Sequence, residues 1–156
     1  MWENFLCGNM TVKNYDNTIE TVVGALVVSR EGRLLLVTGP KWKGRYTIVG
    51  GHIEYGERIK ETVRRELQEE IGVVPERIEF LCVNDEVFPS WFHRKAHFIF
   101  LNFVAWVEDI SQIKLCEREF TDHKWFTAKD ALALPETALV SSVRPVIEAY
   151  RKKYGS

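Results

Sequence analysis

From Ile19 to Ser29 the chain is rich in Val and Ile, and after Arg30-Glu31-Gly32 a second apolar run covers Arg33 to Thr38. Two runs of strand length around a Gly-bearing tight turn predict a β-hairpin. A loop rich in Gly, Lys and Trp (Gly39 to Arg45) leads to a short strand, expected over Tyr46 to Val49 and ended by Gly50-Gly51. The period then changes. Ile59, Val63, Leu67 and Ile71 recur every four residues, so Glu57 to Ile71 reads as a helix, with Gly72 where helices commonly end. Arg77 to Phe88 and Lys95 to Val107 read as two long strands joined by a loop bearing proline and aromatics, and Asp122 to Phe126 as a short one. Thr127 is the expected N-cap of a helix through Leu134, and a terminal helix is expected over Leu139 to Lys152. Strands mixed with a central helix and C-terminal helices predict an α/β sandwich, a sheet covered on both faces.

Composition adds limits. The 156 residues suit one domain (1–156, with a core over about 19–150), and 46% hydrophobic with 28% charged residues is ordinary for a globular chain. The formal net charge of -1 provides no broad positive field for long nucleic acid, whereas a small anion needs only local cations or a metal. Met1 to Asn17 lacks the basic start and continuous apolar core of a signal peptide, and no apolar stretch approaches the ~20 residues that span a bilayer, so a cytoplasmic protein is expected. Cys7, Cys82 and Cys116 show neither CxxC spacing nor a zinc pattern; all three are expected to be reduced and chemically idle.

The candidate chemistry lies on the predicted central helix. At roughly 100° per residue, Glu66, Glu69 and Glu70 project from one side, with Glu70 beside the apolar stripe. Like charges at these spacings weaken a helix by a few tenths of a kcal/mol per pair, and burying one edge raises that cost. A bound divalent cation would remove the conflict. Hard carboxylate oxygens with no soft ligand nearby suit Mg²⁺, or alternatively Mn²⁺, over zinc.

Gly51, five residues, Glu57, seven residues, then Arg65-Glu66-Leu67-Gln68-Glu69-Glu70-Ile71-Gly72-Val73 is the complete signature of the Nudix hydrolases. The chain resembles that family in this segment and, in the order of its strands, over about Ile19 to Tyr150. The resemblance implies a Nudix-type α/β/α sandwich with a mixed sheet, and hydrolysis of a nucleoside diphosphate linked to another group. It further implies that Glu66, Glu69 and Glu70 bind metal with the carbonyl of Gly50, and that Glu57 and Arg65 form an ion pair supporting the helix. The general base varies among relatives; here it is Glu66 or a later acid, Glu119, with Glu117 as the alternative. Many relatives carry proline directly before the paired glycines, where this chain has Val49.

For the substrate, Phe88, Trp91 and Arg94 in the Asn84 to Lys95 loop combine aromatic faces with positive charge, and Trp42, Arg45 and Tyr46 form a second candidate wall. The alternative for the first group is a dimer contact or a packed hairpin tip, and for the second simple packing. Pro89 resembles a proline of ADP-ribose-cleaving members, whereas Gly56-Glu57-Arg58-Ile59 and Glu119 to Phe126 look similar to triphosphate-cleaving ones. The expected activity is pyrophosphohydrolysis of a nucleoside triphosphate or modified nucleotide. The alternatives are ADP-ribose or nucleotide-sugar cleavage, and a nucleotide-sensing module without catalysis. A third, an RNA 5′-end hydrolase, would need a track for the backbone that near-neutral charge argues against. The implied partner is a small nucleotide, with no long nucleic acid and no membrane; homodimers are common among relatives.

Overall fold

The computed structural model describes residues 17–155, and the expectations for residues 1–16, Cys7 included, lie outside them. Six strands form one mixed sheet: β1 (Ile19–Ser29), β2 (Leu34–Thr38), β3 (Val49–His52), β4 (Arg77–Val87), β5 (His97–Val107) and β6 (Asp122–Phe126). The order is β4-β5-β1-β2-β6, with β3 beside β1. β1 runs parallel to β5 along its whole length and antiparallel to its other partners. On its second edge it meets β3 over Val22–Ala25 and β2 at Val28–Leu34. From Val22 to Ser29 every β1 residue is buried, not every second one. Such a strand is covered on both faces, and its apolar run has no alternation for that reason.

Three helices supply the cover: α1 (Ile59–Ile71), α2 (Ala128–Ala133) and α3 (Val143–Tyr154). α1 packs on β3 and β1, and α3 packs on β4 and α2. Val63, Leu67 and Ile71 are fully buried, while Ile59 in the first turn stays 41% exposed. Each buried aliphatic side chain contributes roughly 1.5–3 kcal/mol. The Glu61 carboxylate accepts from the Arg58 N–H at 2.9 Å to close the N-terminus, and Gly72 ends the helix at φ 70°. Thr127 caps α2 by accepting from the Asp130 N–H, as expected.

Two elements and one cysteine depart from the sequence reading. The strand expected over Tyr46 to Val49 lies later, at Val49–His52, and Tyr46 and Thr47 make only isolated bridges. The glycines taken as its end are inside it, because a Cβ on Gly50 would stand 2.2 Å from the Val23 carbonyl oxygen. Glycine in a strand marks such close backbone approach. The terminal helix begins at Val143 because the chain before it bridges to Tyr46 instead: the Tyr46 N–H donates to the Ala138 carbonyl, and the Val140 N–H donates to the Tyr46 carbonyl. Cys116 is disulfide-bonded and Cys82 is free, which corrects the expectation that all the cysteines stay reduced. Sequence spacing says nothing about which thiols the fold brings within bonding distance.

Candidate functional site

The turn before α1, the acidic edge of α1, β3 and the loop before β6 meet around a group of carboxylates. Arg65 is its organising cation. Its Nε and Nη2 donate to the two oxygens of Glu57 at 2.8 and 3.0 Å. Its Nη1 donates to Glu66 Oε1 at 2.9 Å and Glu69 Oε2 at 3.4 Å, and Nη2 also reaches the His52 carbonyl at 3.0 Å. Glu57 further accepts from the Thr62 hydroxyl at 2.7 Å and the Glu54 N–H at 3.1 Å. Burial alone would raise the Glu57 carboxyl; Arg65, Thr62 and the Glu54 amide reverse that and hold it at about 2. The same carboxylates hold the Arg65 proton more firmly than usual, against the effect of burial.

The acids behind this clamp are in the opposite condition. Glu66, Glu70 and Glu119 are 1%, 2% and 1% exposed. Gly51 lets Glu66 in, since a Cβ there would lie 2.1 Å from Glu66 Oε1. Glu70 accepts from the Gly50 N–H at 3.2 Å. Glu119 is held by its own N–H on the Cys116 carbonyl, and the Cys116 N–H bonds the Glu70 carbonyl. Burial pushes Glu66 and Glu119 up to about 7, outweighing Arg65 in one case and Lys41 in the other. Glu70 is raised well above the usual range by burial and by the charges of Glu66 and Glu119. Glu66 Oε2 and Glu119 Oε1 are buried with no hydrogen-bond donor. Unsatisfied buried carboxylate oxygens cost several kcal/mol unless something pairs with them.

These oxygens fit a hard divalent cation: the donor set holds no thiolate or imidazole, and two of its oxygens have no protein donor. Among the described residues no three acids are already drawn into a closed cage. Arg65 instead holds Glu66 and Glu69, and Lys41 holds Glu119.

The structure thus gathers Gly50, Glu57, Arg65, Glu66, Glu69, Glu70 and Glu119. The six residues proposed from sequence for the substrate are not gathered. Trp42 and Trp91 are buried against each other, ring centroids 5.4 Å apart, and share a narrow cavity with Gly50, Phe100 and Asn102. Glu86 anchors Trp91 by accepting from its indole N–H at 2.7 Å. Arg94 spends both Nη groups on Glu20, at 2.6 and 2.8 Å. Tyr46 packs edge-on to Phe126, Arg45 lines a separate cleft with Glu136 and Arg144, and Phe88 is exposed beneath the Lys95 ammonium. Sequence reasoning passed over Lys41, which ion-pairs with Glu119 across 78 positions, and the buried Glu20–His52 pair at 2.7 Å. No local pattern marks either pair.

A family model described as NUDIX domain matches residues 18–150. The chain is 28% identical over 146 residues to a Vibrio atlanticus protein named NAD-capped RNA hydrolase NudC, covering 91% of this chain and 49% of that protein. A Pseudomonas aeruginosa protein of the same name is 33% identical over 127 residues, or 80% of this chain and 42% of its own length. The chain therefore spans about half the length of these relatives. Among solved structures, a MutT NUDIX hydrolase from Burkholderia pseudomallei is 26% identical with a TM-score of 0.70, covering 85% of this chain and 98% of that one. The NUDIX domain of Shewanella oneidensis NrtR, solved with ADP ribose, is 25% identical with a TM-score of 0.68, covering 90% and 94%. With the signature, the sheet and the clamped carboxylates all in agreement, the chain belongs to the Nudix family.

Proposed function

We propose that this protein is a divalent-metal-dependent pyrophosphohydrolase that cleaves the diphosphate of a small nucleotide derivative. The observation that carries the proposal is the pair of donorless buried carboxylate oxygens, on Glu66 and Glu119, beside an Arg65 clamp that fixes the helix bearing Glu66. A protein that needed only fold stability at this position would bury apolar groups instead.

Glu66, Glu69 and Glu70 would hold the metal, with the Gly50 carbonyl. When bound, Mg²⁺ or Mn²⁺ supplies charge neutralisation for the diphosphate and lowers the pKa of a coordinated water. The protein's own groups do the rest. Arg65 and Glu57 keep the α1 carboxylates oriented against β3, and Gly51 leaves the space Glu66 needs. Glu119 accepts the proton of the attacking water at Oε1, and a carboxyl raised toward 7 by burial suits that task near neutral pH. Burial of the site keeps these charges in a low dielectric, where each is worth more than in water.

For the substrate, the relatives named for NAD-capped RNA and the domain solved with ADP ribose favour a diphosphate substituted at both ends, since NAD and ADP ribose share that unit. This moves the preference away from nucleoside triphosphates. The test is release of nucleoside monophosphate from a panel in Mg²⁺: ADP ribose, NAD, nucleotide sugars, dinucleoside polyphosphates and nucleoside triphosphates. Preferred cleavage of a doubly substituted diphosphate is expected. Preference for a triphosphate would reverse the substrate choice, and no metal-dependent turnover of any compound would sink the hydrolase reading.

A further inference from the structure

The carboxylate group carries its own cation. Lys41 lies on the 3-10 turn Pro40–Trp42, and its Nζ donates to Glu119 Oε2. The Glu119 side chain is fully buried there and that of Lys41 is 16% exposed. The Lys41 charge also reaches Glu70 and Glu66. A flexible surface lysine would find many partners, but this one stands on a fixed turn. Pro40 locks φ at the first position, and Trp42 is 3% exposed in the core. Gly39 lies flat against the backbone of Glu119, where a Cβ would meet the Glu119 carbonyl oxygen at 2.4 Å. The Thr121 N–H donates to the Thr38 carbonyl at 2.9 Å, tying together the two chain segments that carry lysine and acid.

The ammonium does not satisfy the acids. It serves one oxygen of Glu119, while Glu119 Oε1 and Glu66 Oε2 have no donor. A single charge also leaves most of the repulsion among Glu66, Glu70 and Glu119 in place. A divalent ion brings two charges and several coordination positions for hard oxygens, so it is the stronger partner for the same atoms. Its entry makes the Lys41–Glu119 pair redundant. The ammonium then remains tethered at the rim of the site, a compact charge with three donors, in the place where a diphosphate must come. Phosphate oxygen is its natural next acceptor.

We propose that Lys41 is an exchangeable counter-cation. It pairs with Glu119 Oε2 in the metal-free protein, yields that oxygen to the divalent ion while Oε1 stays free to take the proton, and then binds a phosphate oxygen of the substrate. Only the last step rests on the hydrolase reading. The exchange gives the site a metal affinity below what its carboxylates alone would set, and it couples metal loading to the readiness of the phosphate-binding group.

The experiment is a Mn²⁺ titration of the full chain at pH 8 without nucleotide, read by electron paramagnetic resonance of the free ion. Lys41→Met is expected to bind Mn²⁺ about tenfold or more tightly than wild type, because the ion no longer has to displace an ammonium from Glu119. Lys41→Arg is expected to stay near wild type, and Lys41→Gln to follow Lys41→Met, which guards against a folding defect in one variant. In a Glu119→Gln background the tightening by Lys41→Met should largely vanish. With metal saturating, KM for the best diphosphate substrate should rise about tenfold in Lys41→Met and recover in Lys41→Arg. Unchanged or weaker Mn²⁺ binding in folded Lys41→Met, or tightening that persists in the Glu119→Gln background, overturns the exchange. An unchanged KM overturns the phosphate step. Metal exchange as described but no turnover by any variant or by wild type would defeat the hydrolase reading and leave the exchange standing.

Discussion

Arg65 places all five of its N–H groups on acceptors, from Glu57, Glu66, Glu69 and the His52 carbonyl. Removing it strands Glu57 in a site where that carboxylate is only 15% exposed. Arg65→Ala should therefore lose roughly 2–4 kcal/mol in urea unfolding, as well as most activity. Glu57 has a pH signature of its own. Its carboxyl lies at about 2 against an ordinary 4.5, so its contribution is complete above pH 4.5 and disappears as pH falls through about 2. The stability gap between wild type and Glu57→Gln should be constant near neutrality and close between pH 4.5 and 2. A gap that persists at pH 2 would show that the carboxylate charge is not what stabilises. Glu66 and Glu119 run the other way. Raised to about 7, they favour the fold at or below pH 4.5 and cost stability as pH climbs through 7. In a chelator, wild type should lose melting temperature between pH 5 and 8, and Glu66→Gln should lose less.

At the scale of elements, the acids depend on how closely α1 lies on β3. Gly51 is the contact point, and Gly51→Ala pushes a methyl against the Glu66 carboxylate. The expected result is a folded protein with turnover reduced by about tenfold to a hundredfold, measured beside circular dichroism. Wild-type turnover in that variant would mean that the position of Glu66 is unimportant. Much at this scale was legible beforehand. The four-residue period foretold α1, and Val63, Leu67 and Ile71 are its buried stripe. Thr127 and the Asp122 to Phe126 run foretold α2 and β6. β3 was misplaced because Tyr46 to Val49 carries the strand-forming residues, whereas the close approach to β1 requires the glycines after them. Residue type alone does not reveal which backbone approaches which.

Across the whole molecule, the helix edge of the candidate site was readable because its spacing is local: Glu57, Arg65, Glu66, Glu69 and Glu70 lie within one turn and one helix. The opposite wall was not. Lys41 and Glu119 meet only because β2 pairs with β6, which brings the segments following and preceding those strands together. The dispersal of Arg45, Tyr46, Phe88 and Arg94 has the same origin, since aromatic and basic composition does not encode the direction of a side chain. No helix among the described residues is long and apolar enough to cross a membrane, and the formal net charge is -1. Binding of a nucleotide diphosphate should accordingly weaken with salt far less steeply than binding of a long RNA.

The most direct test of the central claim is the Mg²⁺ dependence of nucleoside monophosphate release, from the best diphosphate of the panel, by wild type and Glu70→Gln. Cleavage at the diphosphate that requires Mg²⁺ in wild type and falls by at least ~100-fold in a folded Glu70→Gln protein is the predicted result. Equal rates in the two proteins, or cleavage by wild type that survives a chelator, would contradict it.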